Sequence, residues 1–137
     1  MQICDQLESI ADSLPHHVDK DTCIRVASRL LPLLHEAHGY EEKVLFPIFE
    51  RDVKQHPTRG ATVLRLKTEH VYDEGAAEEI CEQLQGIGRG GQIQNPEALG
   101  FMLRAFFDSV RRHIAFEREH VFALTIAAPI VNTAGTA

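Results

Sequence analysis

The chain has 137 residues, of which 44% are hydrophobic and 25% charged, with a formal net charge of -6. That length suits one domain with a sizeable core, and the composition is ordinary for a soluble globular protein. The acidic balance and the lack of a basic cluster argue against nucleic acid as a partner, and no apolar run approaches the ~20 residues that would span a membrane.

The elements read out in chain order as four helices. Helix A runs from the start to about Leu14, with Ile3, Leu7, Ile10 and Leu14 on one face. "LPHHVDKD" reads as a turn, with Asp19 or Asp21 capping the next helix. Helix B spans about Asp21 to Glu50 and carries the stripe Ala27, Leu31, Leu34, His38, Glu42, Leu45, Phe49. Pro32 and Pro47 lie inside it, so a bend or an early end is expected. "RDVKQHPTRG" is the next loop. Helix C, about Ala61 to Gln85, has the stripe Val63, Leu66, His70, Glu74, Ala77, Cys81, Leu84. "GIGRGGQIQNP" breaks it; without a preceding strand its glycines read as a turn, not a phosphate loop. Helix D begins near Pro96, a good first-turn residue, and runs to about Ala127. Its stripe is Leu99, Leu103, Phe106, Val110, His113, Glu117, His120, Leu124. "APIVNTAGTA" reads as a frayed tail. Residues 1–128 therefore form an all-α, up-down-up-down four-helix bundle, and 129–137 a flexible C-terminal extension.

The acidic start, "MQICDQLESI", has no signal-peptide pattern. Cys4, Cys23 and Cys81 are far apart and odd in number, which predicts reduced thiols and a cytoplasmic protein.

Three of the core stripes are interrupted in the same way. His38 and Glu42, His70 and Glu74, and His113 and Glu117 each stand at i, i+4 on an otherwise apolar face. Composition alone predicts roughly one such His–acid pair by chance; four occur, His17 and Asp21 being the fourth. Depth adds weight. His70 and His113 are equidistant from a C–D turn centred near 91.5, and the B–C turn brings His38 and Glu42 to about the same level. Three imidazoles and three carboxylates in one buried layer are a mixed nitrogen and oxygen ligand set for a redox-active first-row metal. Residues at i, i+4 face the same way, and six ligands exceed one tetrahedral zinc site. The competing explanation is a set of buried His–Glu pairs without metal. Such pairs add little stability, so three at one level call for another reason.

These residues resemble the hemerythrin, or HHE cation-binding, family over most of the chain. "HGYEEKVLFP" is similar to its second-helix histidine and glutamate pair followed by Leu-Phe-Pro. "TEHVYDE" resembles its third-helix Glu-His segment, and "RRHIAFEREHVF" its fourth-helix histidine and glutamate. The resemblance implies a non-heme centre of two irons per chain, bridged by oxo or hydroxo and by carboxylates. Glu42 and Glu117 would be the bridging carboxylates, and His38, His70 and His113 terminal ligands. Dioxygen or peroxide would be the molecule bound, sensed or reduced. Two departures stand out. Oxygen-carrying members have a second histidine where this chain has Glu74; a carboxylate there favours the ferric state and shifts the expectation from reversible carriage to reduction or sensing. The family's first-helix histidine would fall about four residues before Met1. A start further upstream, an open coordination position, or a ligand from a second subunit in a homodimer remain open. His16 and His17, in the turn, would serve only through a swapped or rearranged first helix. Two other functions compete: a carboxylate-rich di-iron oxidase or peroxidase with turnover, and a metal-free or zinc-bound helical interaction module.

Other residues read as support. His120 lies one turn beyond Glu117 as a core residue or a partner to a ligand, a kind of partner that ligating histidines usually need. His35 and Glu41 flank the B stripe as solvated or supporting groups. Tyr40 and Tyr72 read as surface, His56 as a loop residue, and Phe46, Phe49, Phe106 and Phe116 as core near the site.

Overall fold

The computed structural model describes residues 2–51 and 55–122. Among these it is helical with no strand: α1 (Gln2–Ser13), α2 (Lys20–Tyr40), a π-helical turn (Glu41–Leu45), α3 (Phe46–Phe49), α4 (Thr58–Gly88), α5 (Pro96–Glu117) and a second π-helical turn (Arg118–Phe122). α2, the first π-turn and α3 form the second rod of a four-helix bundle. The expected tail at 129–137, and Leu124 on the helix D stripe, lie outside the described residues.

Local chemistry sets the ends. Asp19 caps α2 by accepting from the N–H groups of Asp21 and Thr22. Asn95 caps α5, with Pro96 at its first turn. α4 closes with a Schellman pair: the Gly90 N–H donates to Ile87 and the Gly91 N–H to Gly86. Gly90 sits at φ +93°, open to glycine without strain. The "GIGRGG" run is thus a helix stop, and α4 reaches three residues past its expected end.

α2 does not end at Pro32. Pro47 has the larger effect. Its ring carries no N–H and crowds the carbonyl four residues back. Just before it the chain widens into a turn closed by the Phe46 N–H on the Glu41 carbonyl.

α2 packs mainly on α4, and α1 on α5. Arg104 holds Asp12 at 2.8 Å, and Arg111 holds Asp5 at 2.8 Å and Glu8 at 3.0 Å, fixing α1 antiparallel to α5. These exposed pairs mark register more than they add stability. Two apolar clusters divide the interior. The larger joins all four rods through residues such as Leu7, Leu30, Ile80 and Leu103. The smaller gathers Phe46, Phe49, Val63, Leu66 and Val121 at the other end. Between them along the helices lie the buried polar residues His38, His70, Asp73, His113 and Glu117. No helix among the described residues is long and apolar enough to cross a membrane.

Candidate metal centre

A buried polar layer between two apolar clusters needs a partner for every donor and acceptor. α4 carries its centre, His70, only 1% exposed. One carboxylate from the first π-turn lies on each side of its ring: Glu41 Oε2 is 2.8 Å from Nε2, and Glu42 Oε1 is 3.8 Å from Nδ1. From α5, His113 tilts towards it with ring centroids 5.0 Å apart, and Glu117 Oε1 lies 3.7 Å from His70 Nε2. His113 Nε2 is also hydrogen-bonded to Glu117. From α2, the His38 ring stacks on His70 at 3.7 Å, nearly parallel. Phe46 covers His70 at 5.6 Å.

The six sequence-derived residues therefore separate. His70, His113 and Glu117 meet in one tight group whose fourth member is Glu41, with ligand atoms all within 4.8 Å of one another. His38 is buried beside it, its Nδ1 3.2 Å from Glu74 Oε1. Glu74 is partly exposed and also lies 3.6 Å from His35 Nε2. Glu42 stands at the rim with its side chain 38% exposed.

Glu41, read from the sequence as solvated or supporting, is instead 12% exposed and part of the group. Glu41 and Glu42 stand i+3 and i+4 from His38, so both face inward on a helix; the widened turn before Pro47 decides which carboxylate goes deeper. His120 is the second correction. In the π-turn after Glu117 the inward position falls on Val121, fully buried, while the His120 side chain is 60% exposed. The His120 ring lies 4.9 Å from that of Phe116. His16, His17 and His56 are exposed, as are Tyr40 and Tyr72. Phe46, Phe49 and Phe106 are buried. Among the described residues α1 adds no side chain to the tight group.

Two acidic residues within "TEHVYDE" have partners that the sequence does not reveal. Glu69, beside His70 in the chain, accepts from His113 Nδ1 at 2.9 Å. Asp73 is buried, with Ser109 of α5 as its side-chain partner, and burial pushes its carboxyl up. Each lies one helical turn from the other, facing α5, a pattern visible once α4 and α5 are paired.

The charges are strongly coupled. Burial opposes the charge on His70, but Glu117 and Glu41 outweigh it and hold His70 up at about 9. Burial likewise opposes Glu117, yet His113 and His70 hold it down at about 2. Burial, then the His70 charge, pushes His38 down to about 4. Burial raises Glu41 against the pull of His70. His113 is raised, Glu117 prevailing over burial.

The bonding is nonetheless incomplete. Among the described residues, Glu41 Oε2, both nitrogens of His70 and Glu117 Oε2 are buried with no hydrogen-bond partner. His70 Nε2 and Glu41 Oε2 are close enough to bond but are not aligned on each other. Lone pairs that converge without meeting are what a cation needs, and imidazole with carboxylate suits a first-row divalent metal. The residues present fit a bound metal.

Fold and site together define a helical-bundle cation-binding protein. The model of the hemerythrin HHE cation-binding domain matches residues 1–125, and the chain belongs to that family. Neither the curated proteins nor the solved structures contain a match.

Proposed function

We propose that this chain is a non-heme di-iron protein that binds, senses or reacts with dioxygen or peroxide. The observation that carries the reading is the set of four buried atoms on Glu41, His70 and Glu117 that find no hydrogen-bond partner among the described residues. Glu41, His70, His113 and Glu117 would hold metal in the tight group, and His38, Glu42 and Glu74 would complete the layer around a second ion. Carboxylates shared between metals are the usual construction of helix-bundle di-iron sites. Iron so bound would supply electrons to dioxygen or peroxide and a site to bind it. The chain's own residues do the rest. Phe46 and the smaller apolar cluster keep bulk water from His70. Glu117, ionised across the physiological range, balances the cation's charge.

Four carboxylates, Glu41, Glu42, Glu74 and Glu117, stand beside three imidazoles in this layer. That acidic excess favours harder, more oxidised metal and supports a second reading, a di-iron oxidase or peroxidase with turnover. Elemental analysis of protein purified without an affinity tag tests the first reading. About two irons per chain, with an absorbance change when the ferrous protein meets dioxygen or peroxide, support it; zinc or no metal sinks it. Sustained catalytic loss of peroxide would select the second.

A further inference from the structure

His113 is held from both sides. Its Nε2 faces Glu117 within the tight group. Its Nδ1 crosses the α4–α5 interface to Glu69 Oε2 at 2.9 Å. Glu69 is itself steadied: Arg65, one turn earlier, brings Nε to 3.8 Å from Glu69 Oε1. The Arg65 guanidinium lies 4.8 Å over the Phe116 ring of α5. These groups, with Ser109 and Arg112, line a cavity of about 320 Å³ that reaches His113 from the solvent side.

The geometry points to Glu69 as a positioning residue for His113, holding the ring by its Nδ1–H so that Nε2 is presented to the metal. An imidazole offers its lone pair at Nε2 only when the proton sits on Nδ1. A carboxylate accepting at Nδ1 fixes that tautomer, fixes the ring's rotation and raises the basicity of the other nitrogen. No other side chain is hydrogen-bonded to His113 Nδ1 among the described residues. Glu69 faces the solvent cavity, its side chain 44% exposed, so it is not itself enclosed in the ligand group. Its neighbour in sequence, His70, projects into that group. One helix thereby supplies a ligand and, at the adjacent position, the group that orients a ligand on another helix.

This assignment rests on the metal-binding reading, and two measurements separate their fates. The first needs no metal. Long-range proton–nitrogen NMR of the metal-free chain should show a slowly exchanging, downfield Nδ1–H on His113. Glu69→Ala should abolish that signal, and Glu69→Gln, which keeps a neutral acceptor in place, should move it upfield. An unchanged signal in Glu69→Ala overturns the proposal whether or not the protein takes up metal. The second loads wild type and both variants with ferrous iron anaerobically and follows release to a chromogenic chelator. Glu69→Ala should release iron about tenfold faster, with Glu69→Gln between it and wild type. Equal release rates overturn the positioning role. Failure of the wild type to load iron, with the Nδ1–H signal still dependent on Glu69, would sink the di-iron reading and leave the orientation of His113 standing.

Discussion

His70 Nε2 and Glu41 Oε2 approach to 2.8 Å inside the bundle and still do not satisfy each other. Each is aimed at a common space also faced by His113 and Glu117. Glu41→Ala should therefore cost bound metal more than Glu42→Ala, whose side chain is at the rim. His120→Ala, on an exposed residue, should leave metal content unchanged. Metal per chain, measured for the three variants after identical loading and desalting, checks the order. Equal losses in Glu41→Ala and His120→Ala would remove Glu41 from the ligand set.

Metal should stabilise the fold, because a ligand that binds only the native state shifts unfolding by mass action, by about 2.7 kcal/mol at a hundredfold excess over its Kd. Chelation should lower the thermal midpoint by several degrees. The His70→Ala variant, lacking the central imidazole, should melt at the same temperature with and without chelator. A wild-type midpoint insensitive to both chelator and added ferrous iron would favour the metal-free helical module.

The pH dependence has a definite sign. In the metal-free chain His70 stands at about 9 against an ordinary 6.5. Its contribution to stability is complete below 6.5 and is lost as pH rises through 6.5 to about 9. Glu117 stands at about 2 against 4.5, so its contribution is complete above 4.5 and is lost as pH falls towards 2. His38, at about 4, stays neutral while the unfolded chain takes up a proton, and so weakens the fold as pH falls from 6.5 to 4. A metal held by His70 would have to displace the proton on that ring. The gap in denaturant midpoint between metal-loaded and metal-free protein should thus widen from pH 6.5 to 9. A gap that narrows over that range would mean that His70 is not a ligand.

How far the sequence led can be read from single residues. His70, His113 and Glu117 were legible because each breaks an apolar stripe, and turn positions alone placed them at one depth. Glu41 was not, because i+3 and i+4 from His38 are both inward positions and the choice depends on a backbone widening near Pro47. His120 failed for the same kind of reason: a 3.6-residue period does not survive the π-turn at Arg118–Phe122. The role of Glu69 was hidden differently, although the residue stands in the Glu-His segment. It lies outside the apolar stripe of α4, and its partner is 44 residues away on another helix. Periodicity reports which face a residue occupies on its own helix, not which side chain waits across the interface.

Phe46 joins core and site, and its removal should show both. It is 1% exposed, sits in the smaller apolar cluster and stacks on His70. Phe46→Ala should cost about 3–5 kcal/mol, the usual penalty for emptying a buried aromatic site. Phe101→Ala, at a residue 76% exposed, should stay within about 0.5 kcal/mol of wild type. Urea denaturation of the metal-free proteins measures both. The Phe46 cavity would also admit water to the unpartnered nitrogens of His70, which removes part of the incentive to hold a cation there. Iron release from Phe46→Leu, a smaller and better tolerated change, should therefore be faster than from wild type in anaerobic chelator competition. Unaltered release with lowered stability would confine Phe46 to packing and move the water barrier elsewhere in the bundle.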